Sequence, residues 1–121
     1  MKDPAPSPPA PEIGIDDFLR VDIRAGTVVD AQPFPEARRP AYRLRIDFGE
    51  PIGLRETSAQ ITGNYRPEDL IGRQLAAVVN FPPKQIARLM SQVLVLGFPD
   101  RNGEVVLVSP DRPVPNGVRL Y

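Results

Sequence analysis

The segment AYRLRIDF alternates without a break, placing Tyr42, Leu44, Ile46 and Phe48 on one face and Arg43, Arg45 and Asp47 on the other. That period of two predicts a strand with one buried face, whose other face presents two arginines. The pattern recurs along the chain. VDIRAGTVVDA reads as a first strand with Gly26 at its centre, where a bulge or sharp bend is expected, and PFPEARRP closes it with a proline-rich turn. After the turn GEPIG, LRETSAQI forms a third and more polar strand, and QLAAVVNF a buried fourth. QVLVLGF is the fifth, and EVVLVSP follows a DRNG turn whose Asn102-Gly103 is a strong hairpin signal. A short strand within PVPNGVRLY ends the chain.

Helix is scarce. Asp16 is placed to cap a short turn, IDDFL, directing Ile15, Phe18 and Leu19 inward. NYRPEDLIG makes a second short helical connection, with Pro67 near its start and Gly72 at its end. The fold class expected is therefore all-β: a five-stranded OB-fold barrel with short helical segments and extra terminal strands. Closure into a barrel also protects the strand edges of a chain so poor in helix. On pattern alone an SH3-like barrel or a sandwich fits as well. Residues 1–12 carry five prolines in their first eleven positions and form an expected flexible tail, leaving 13–121 as the folded domain.

Composition narrows the chemistry. The 121 residues suffice for one domain with one core. With neither His nor Cys, the chain cannot build Ser–His or Cys–His nucleophile pairs or a thiolate zinc site. No Gly-rich phosphate loop occurs, and no cofactor or metal is expected. The pairs Asp16-Asp17 and Glu68-Asp69 read as helix starts rather than metal ligands. The N-terminus lacks the apolar core of a signal peptide and no apolar run could span a bilayer, so the expectation is a cytoplasmic protein without membrane insertion. Net charge is zero but unevenly spread: residues 38–92 hold nine basic and five acidic side chains, the rest six and ten. The middle is thus +4 and the flanks −4, which suits a partner bearing phosphates or carboxylates, or a solvated surface balanced in three dimensions.

The candidate site is the segment NFPPKQIARLM between strands four and five, one lip of the ligand face in an OB barrel. Pro82 and Pro83 stiffen it. Lys84 and Arg88, at helical i,i+4 spacing, point together toward a phosphate or carboxylate, joined by Arg43 and Arg45 of the second strand. Ile86 and Leu89 plug the barrel end, while Met90 adapts to apolar ligands or joins the core. Asn80 either reads a ligand or closes the turn before the prolines. Ser91, with no base to activate it, is a hydrogen-bonding residue. Tyr65 and Phe81 are the candidates for a stacking platform. Ser58 and Gln60, polar within a strand, either line the groove or bond across a subunit interface.

These segments also carry a resemblance. DIRAGTVVDAQPFPEAR resembles the opening strand and turn of the tRNA-binding domain that occurs free-standing and appended to some aminoacyl-tRNA synthetases. NFPPKQIARLMSQVLVLG resembles its second hallmark, an Asn-x-x-Pro segment leading through basic residues to a Ser and an apolar strand. SAQITGNYRPEDLIG, with FGEPIGLRE and PDRPVPNG, is similar to the CsaA group of export-related bacterial chaperones. The similarity runs from about Ile15 to the C-terminus. It implies a non-enzymatic OB-fold homodimer whose groove binds unfolded or presecretory polypeptides, with tRNA as the alternative ligand. It also places Ser58 and Gln60 at the dimer interface. The chain departs from the family at Arg38, where a second acidic residue is frequent, at Arg88, where Gly is common, and at Gln92, where Glu is common. Each departure adds positive charge locally.

Overall fold

The computed structural model describes residues 5–121, so the first four positions of the proline-rich segment lie outside the described residues. Residues 5–14 carry neither helix nor strand and are exposed. The element order is α1 (Ile15–Leu19), β1 (Ile23–Pro33), β2 (Tyr42–Asp47), β3 (Leu54–Ala59), α2 (Pro67–Leu70) and β4 (Gln74–Val78). Then come β5 (Lys84–Ile86), β6 (Leu89–Ser91), β7 (Leu94–Val95), β8 (Gly97–Pro99) and β9 (Val105–Leu107). Five strands form one antiparallel sheet in the order β3-β2-β1-β4-β7, and β5-β6 and β8-β9 are separate hairpins. The sheet curls into a nearly closed barrel, as the alternation predicts for an OB-fold.

Closure is made by specific bonds between the two edge strands. The backbone N–H of Gln92, just before β7, donates to Glu56 O of β3 at 2.8 Å. The Gln92 side-chain Oε1 accepts from the Glu56 N–H, also at 2.8 Å. Thr57, fully buried, donates its hydroxyl to Val93 O at 2.8 Å, so a polar side chain in the core has its partner. The C-terminal segment adds to the other side of the sheet: Ala25 donates to Val118 O, and Gly117 and Leu120 donate to Ala25 O and Ile23 O. The expected terminal strand is thus an extended segment joined by a single bridge, Arg24 to Arg119.

The core follows the alternation of β2, with Leu44, Ile46 and Phe48 buried together with Val28, Leu70 and Leu75. Tyr42, the fourth member of that face, lies at its margin and donates its hydroxyl to Tyr65 O at 2.7 Å.

Three local expectations need correction. The bulge of β1 falls at Val29, between Val28 and Asp30, and not at Gly26. Glycine is needed at 26 for a different reason: a Cβ there would lie 2.6 Å from Ile46 Cγ2 and 2.8 Å from the Phe48 ring. The strand passes too close to the core for any side chain. In α1, Gly14 rather than Asp16 is the N-cap, with Asp17 accepting from the Gly14 N–H. Ile15 and Leu19 lie outward, 70% and 49% exposed, because five residues form little more than one turn and the barrel needs no plug there.

Candidate functional site

The segment after β4 is not a helical loop. Lys84–Ile86 and Leu89–Ser91 pair as a hairpin, in the register Lys84–Ser91, Gln85–Met90 and Ile86–Leu89. Its two-residue connection, Ala87-Arg88, has positive φ at Ala87 alone (51°), the pattern of a type II′ turn. Lys84 and Arg88 are therefore separated by strand geometry and do not share a helical face. Pro82 and Pro83 precede the hairpin and fix φ where the chain leaves the barrel.

Strand alternation divides the hairpin's side chains. Leu89 is buried and anchors it to the barrel, while Met90, paired with Gln85 on the other face, is half exposed. Lys84, Ile86 and Ser91, which share the face of Leu89, line a trough of about 440 Å³ with Ser58 and Gln60 of the β3 end. The trough's further walls are largely apolar: Ile61, Phe81, Val93, Leu94, Val95 and Val105. Ser91 is held in place by Thr57, their hydroxyl oxygens 2.9 Å apart, consistent with a hydrogen-bonding residue.

Arg88 and Arg43 line a second depression of about 490 Å³ with Phe34, Glu36 and Leu89. A small adjoining cleft brings Arg43 together with Arg45 and Glu56. Arg45 is paired with Glu56 at 3.2 Å, whereas Arg43, Lys84 and Arg88 form no ion pair among the described residues. The cations expected to frame one cleft are thus divided between depressions: Arg43 lies with Arg45 in one and with Arg88 in another, while Lys84 lines the trough. The depressions are neighbours, since Arg43 is the cross-strand partner of Ser58.

Three further candidates find their places. Asn80 accepts from the Asp22 N–H at 2.9 Å and donates to Arg20 O at 2.7 Å, so its amide clasps the end of α1 to the end of β4. Tyr65 is no stacking platform: it is partly buried against the core, its hydroxyl accepts from the Leu107 N–H, and Arg73 lies over its ring at 5.2 Å. Phe81 is half exposed on the trough wall. Ser58 and Gln60 line the trough.

Sequence reasoning overlooked Val105, contributed by β9, and Arg39, which lines an extension of the trough beside Arg38. No local signal marks Val105, since pairing in three dimensions brings it there. The adjacent arginines in a proline-rich turn were a visible sign for Arg39.

Near the base of β1, Asp22 bonds Arg24 at 2.6 Å and lies 3.5 Å from Arg119. The Arg24 hydrogen bond, with the charges of both arginines, holds the Asp22 carboxyl below its ordinary value against the opposing effect of burial. This cluster braces the C-terminal segment and lies outside the trough.

The model of the family described as "Putative tRNA binding domain" matches residues 23–119. The chain belongs to the tRNA-binding-domain family. Within that family it is similar to the chaperone CsaA of Bacillus anthracis, at 53% identity and a TM-score of 0.86, covering 92% of this chain and all of that one. CsaA of Picrophilus torridus superposes with a TM-score of 0.84 at 47% identity over 91% of this chain and all of its own. Among curated relatives, methionine–tRNA ligase of Porphyromonas gingivalis is 34% identical over 94% of this chain, which spans 16% of that enzyme. Among the described residues, no helix is long and apolar enough to cross a membrane.

Proposed function

We propose that this tRNA-binding-domain protein is a non-catalytic, ATP-independent chaperone of the CsaA type, cytoplasmic and homodimeric, which holds unfolded or presecretory polypeptide in the trough beside the β5–β6 hairpin. The observation that carries this reading is the lining of the trough. Apolar side chains, among them Ile61, Phe81, Ile86, Val93 and Val105, line it together with Ser58, Gln60 and Ser91, which supply hydrogen-bonding groups. Apolar walls with a few convergent polar groups suit side chains and backbone of an extended peptide. The volume, about 440 Å³, is within the range of small-ligand clefts and holds a few side chains. Likeness to CsaA chaperones over their whole length supports the same reading.

For the homodimer, Ser58 and Gln60 are the interface that the resemblance implies, although their position in the trough also suits ligand contact. The outward apolar residues Ile13, Ile15 and Leu19 around α1 offer a second surface for it. Light scattering of the purified protein reads the mass directly.

The test of the chaperone reading is suppression of aggregation of a thermally unfolding client. Stoichiometric protein is expected to suppress it, with measurable affinity for a presecretory peptide. Absence of both effects refutes the reading.

A second reading is favoured by the family match and by unpaired Arg43 and Arg88 in one depression: tRNA bound through its phosphates. Salt separates the two. Each neutralised phosphate steepens the loss of affinity by about 0.7–0.9 log units per decade of salt, whereas an apolar contact responds weakly. Replacing Arg43 and Arg88 by Ala is expected to lower the tRNA slope by about 1.4–1.8, spare an uncharged apolar peptide, and leave the chaperone assay working.

A further inference from the structure

The apolar trough does not end at Lys84. It opens into a depression of about 620 Å³ with which it shares four residues: Ser58, Gln60, Lys84 and Ile86. The new walls come from the turn between β1 and β2 and from the hairpin tip, and they include Arg38, Arg39 and Glu36. One channel therefore has an apolar half, between Phe81 and Val105, and a cationic half. In the cationic half three positive side chains face one negative one. Arg38 and Arg39 are exposed and form no ion pair among the described residues.

We propose that the channel selects extended polypeptide in which an apolar stretch adjoins acidic residues, the acidic block lying over Arg38 and Arg39. This rests on the peptide-binding reading above and specifies its ligand. An extended chain advances about 3.3 Å per residue, so a few residues carry it from the apolar half into the cationic half. Carboxylates there meet guanidinium groups that form no ion pair among the described residues and that favour planar, two-point contact. A basic block in the same place would set like charges against Arg38, Arg39 and Lys84. Apolar segments flanked by lysine are therefore poor ligands of this channel.

The experiment uses labelled synthetic peptides with one common stretch of alternating Leu and Ser, flanked at either end by a short run of Asp, Ser or Lys, and reads anisotropy. At about 0.05 M salt the Asp peptide is expected to bind about tenfold tighter than the Lys peptide, the Ser peptide falling between. At about 1 M salt, where screening acts within ~3 Å, the three affinities should converge. The double variant Arg38→Glu, Arg39→Glu should reverse the order of the Asp and Lys peptides, since both exposed side chains line the cationic half. Equal affinities at low salt, or an Asp preference that survives in the double variant, overturn the inference and leave peptide binding itself intact. If no peptide binds at all, the chaperone reading falls and this inference with it.

Discussion

Leu89 decides whether the β5–β6 hairpin is a rigid wall or a loose flap. Its side chain is 5% exposed, although its strand neighbours Met90 and Arg88 are exposed. It also lines both depressions that hold Arg43. Replacing a buried Leu by Ala removes its transfer free energy and leaves a void, together costing about 2–5 kcal/mol. The hairpin lies outside the five-stranded sheet and can settle toward the gap, which points to the lower half of that range, about 2.5 kcal/mol. For a domain of this size, about 4 °C of Tm accompanies each kcal/mol, so Leu89→Ala should melt about 10 °C below the parent. Met90→Ala, on the opposite face, is the control and should shift Tm by no more than about 2 °C. Circular dichroism melts of both variants at equal concentration supply the measurement. The same truncation frees the segment that carries Arg88 and Ile86, so affinity for peptide and for tRNA should both fall in Leu89→Ala and in neither case for Met90→Ala. Equal melting temperatures for the two variants would show that Leu89 does not anchor the hairpin.

Three other outcomes follow from the geometry. Gly26→Ala forces a methyl to within 2.6 Å of Ile46 and 2.8 Å of Phe48, both fully buried, and should destabilise by about 1–3 kcal/mol, read as a lower urea midpoint at unchanged slope. Asn80→Ala should lose about 1–3 kcal/mol with its two clasping bonds, while ligand affinity per folded molecule stays at the parent value; a selective loss of affinity would make Asn80 a binding residue instead. Because the Asp22 carboxyl is held below its ordinary value of 3.8, its contribution is present above about pH 4 and lost as pH falls through the lowered value. Asp22→Asn should therefore be less stable than the parent at neutral pH, and the gap should narrow in acid denaturation.

The strands were legible where burial is one-sided and long enough to count. Leu44, Ile46 and Phe48 declared the inner face of β2, and Asn102-Gly103 marked the β8–β9 hairpin. Pro67 and Gly72 bounded α2 in the same way. The bulge of β1 was misplaced because close backbone approach and local bending both select glycine, and only the packing of Ile46 and Phe48 against residue 26 separates the two. The hairpin at Lys84–Ser91 was hidden by its shortness: three-residue strands cannot display a period, and Ala87, not Gly or Asn, occupies the positive-φ position. The site was legible in kind but not in plan. Lys84, Arg88 and Arg43 were identifiable as cations near one lip, yet Lys84 lines the trough and Arg88 the depression of Arg43 because a hairpin, and not a helical turn, separates them. The apolar wall also depends on Val105 of the β8–β9 hairpin, whose approach to the trough is set by how that hairpin packs on the barrel and not by its own sequence.

The three departures from the family pattern have unequal consequences, and the structure explains why. Gln92 is committed to barrel closure, its Oε1 accepting the Glu56 N–H. A glutamate there could accept the same bond but would set a second negative charge beside Glu56. With a neutral residue at 92, Glu56 meets no such competitor and pairs with Arg45 at 3.2 Å. The substitution that removes a negative charge thus coincides with an arginine already neutralised, and the gain at this end of the surface is small. Arg88 and Arg38 differ. Each stands on a turn, exposed, without an ion pair among the described residues. One faces the depression of Arg43 and the other the open end of the apolar trough. Positive charge therefore stands at two places a ligand can reach, Arg88 in the depression of Arg43 and Arg38 at the open end of the trough. The Arg38 and Arg88 sites can be separated by experiment: Arg88→Gly should weaken tRNA and leave acidic-flanked peptide nearly unchanged, while Arg38→Glu should do the opposite. If both variants weakened both ligands alike, the two depressions would act as one site, and the hairpin would not partition the surface.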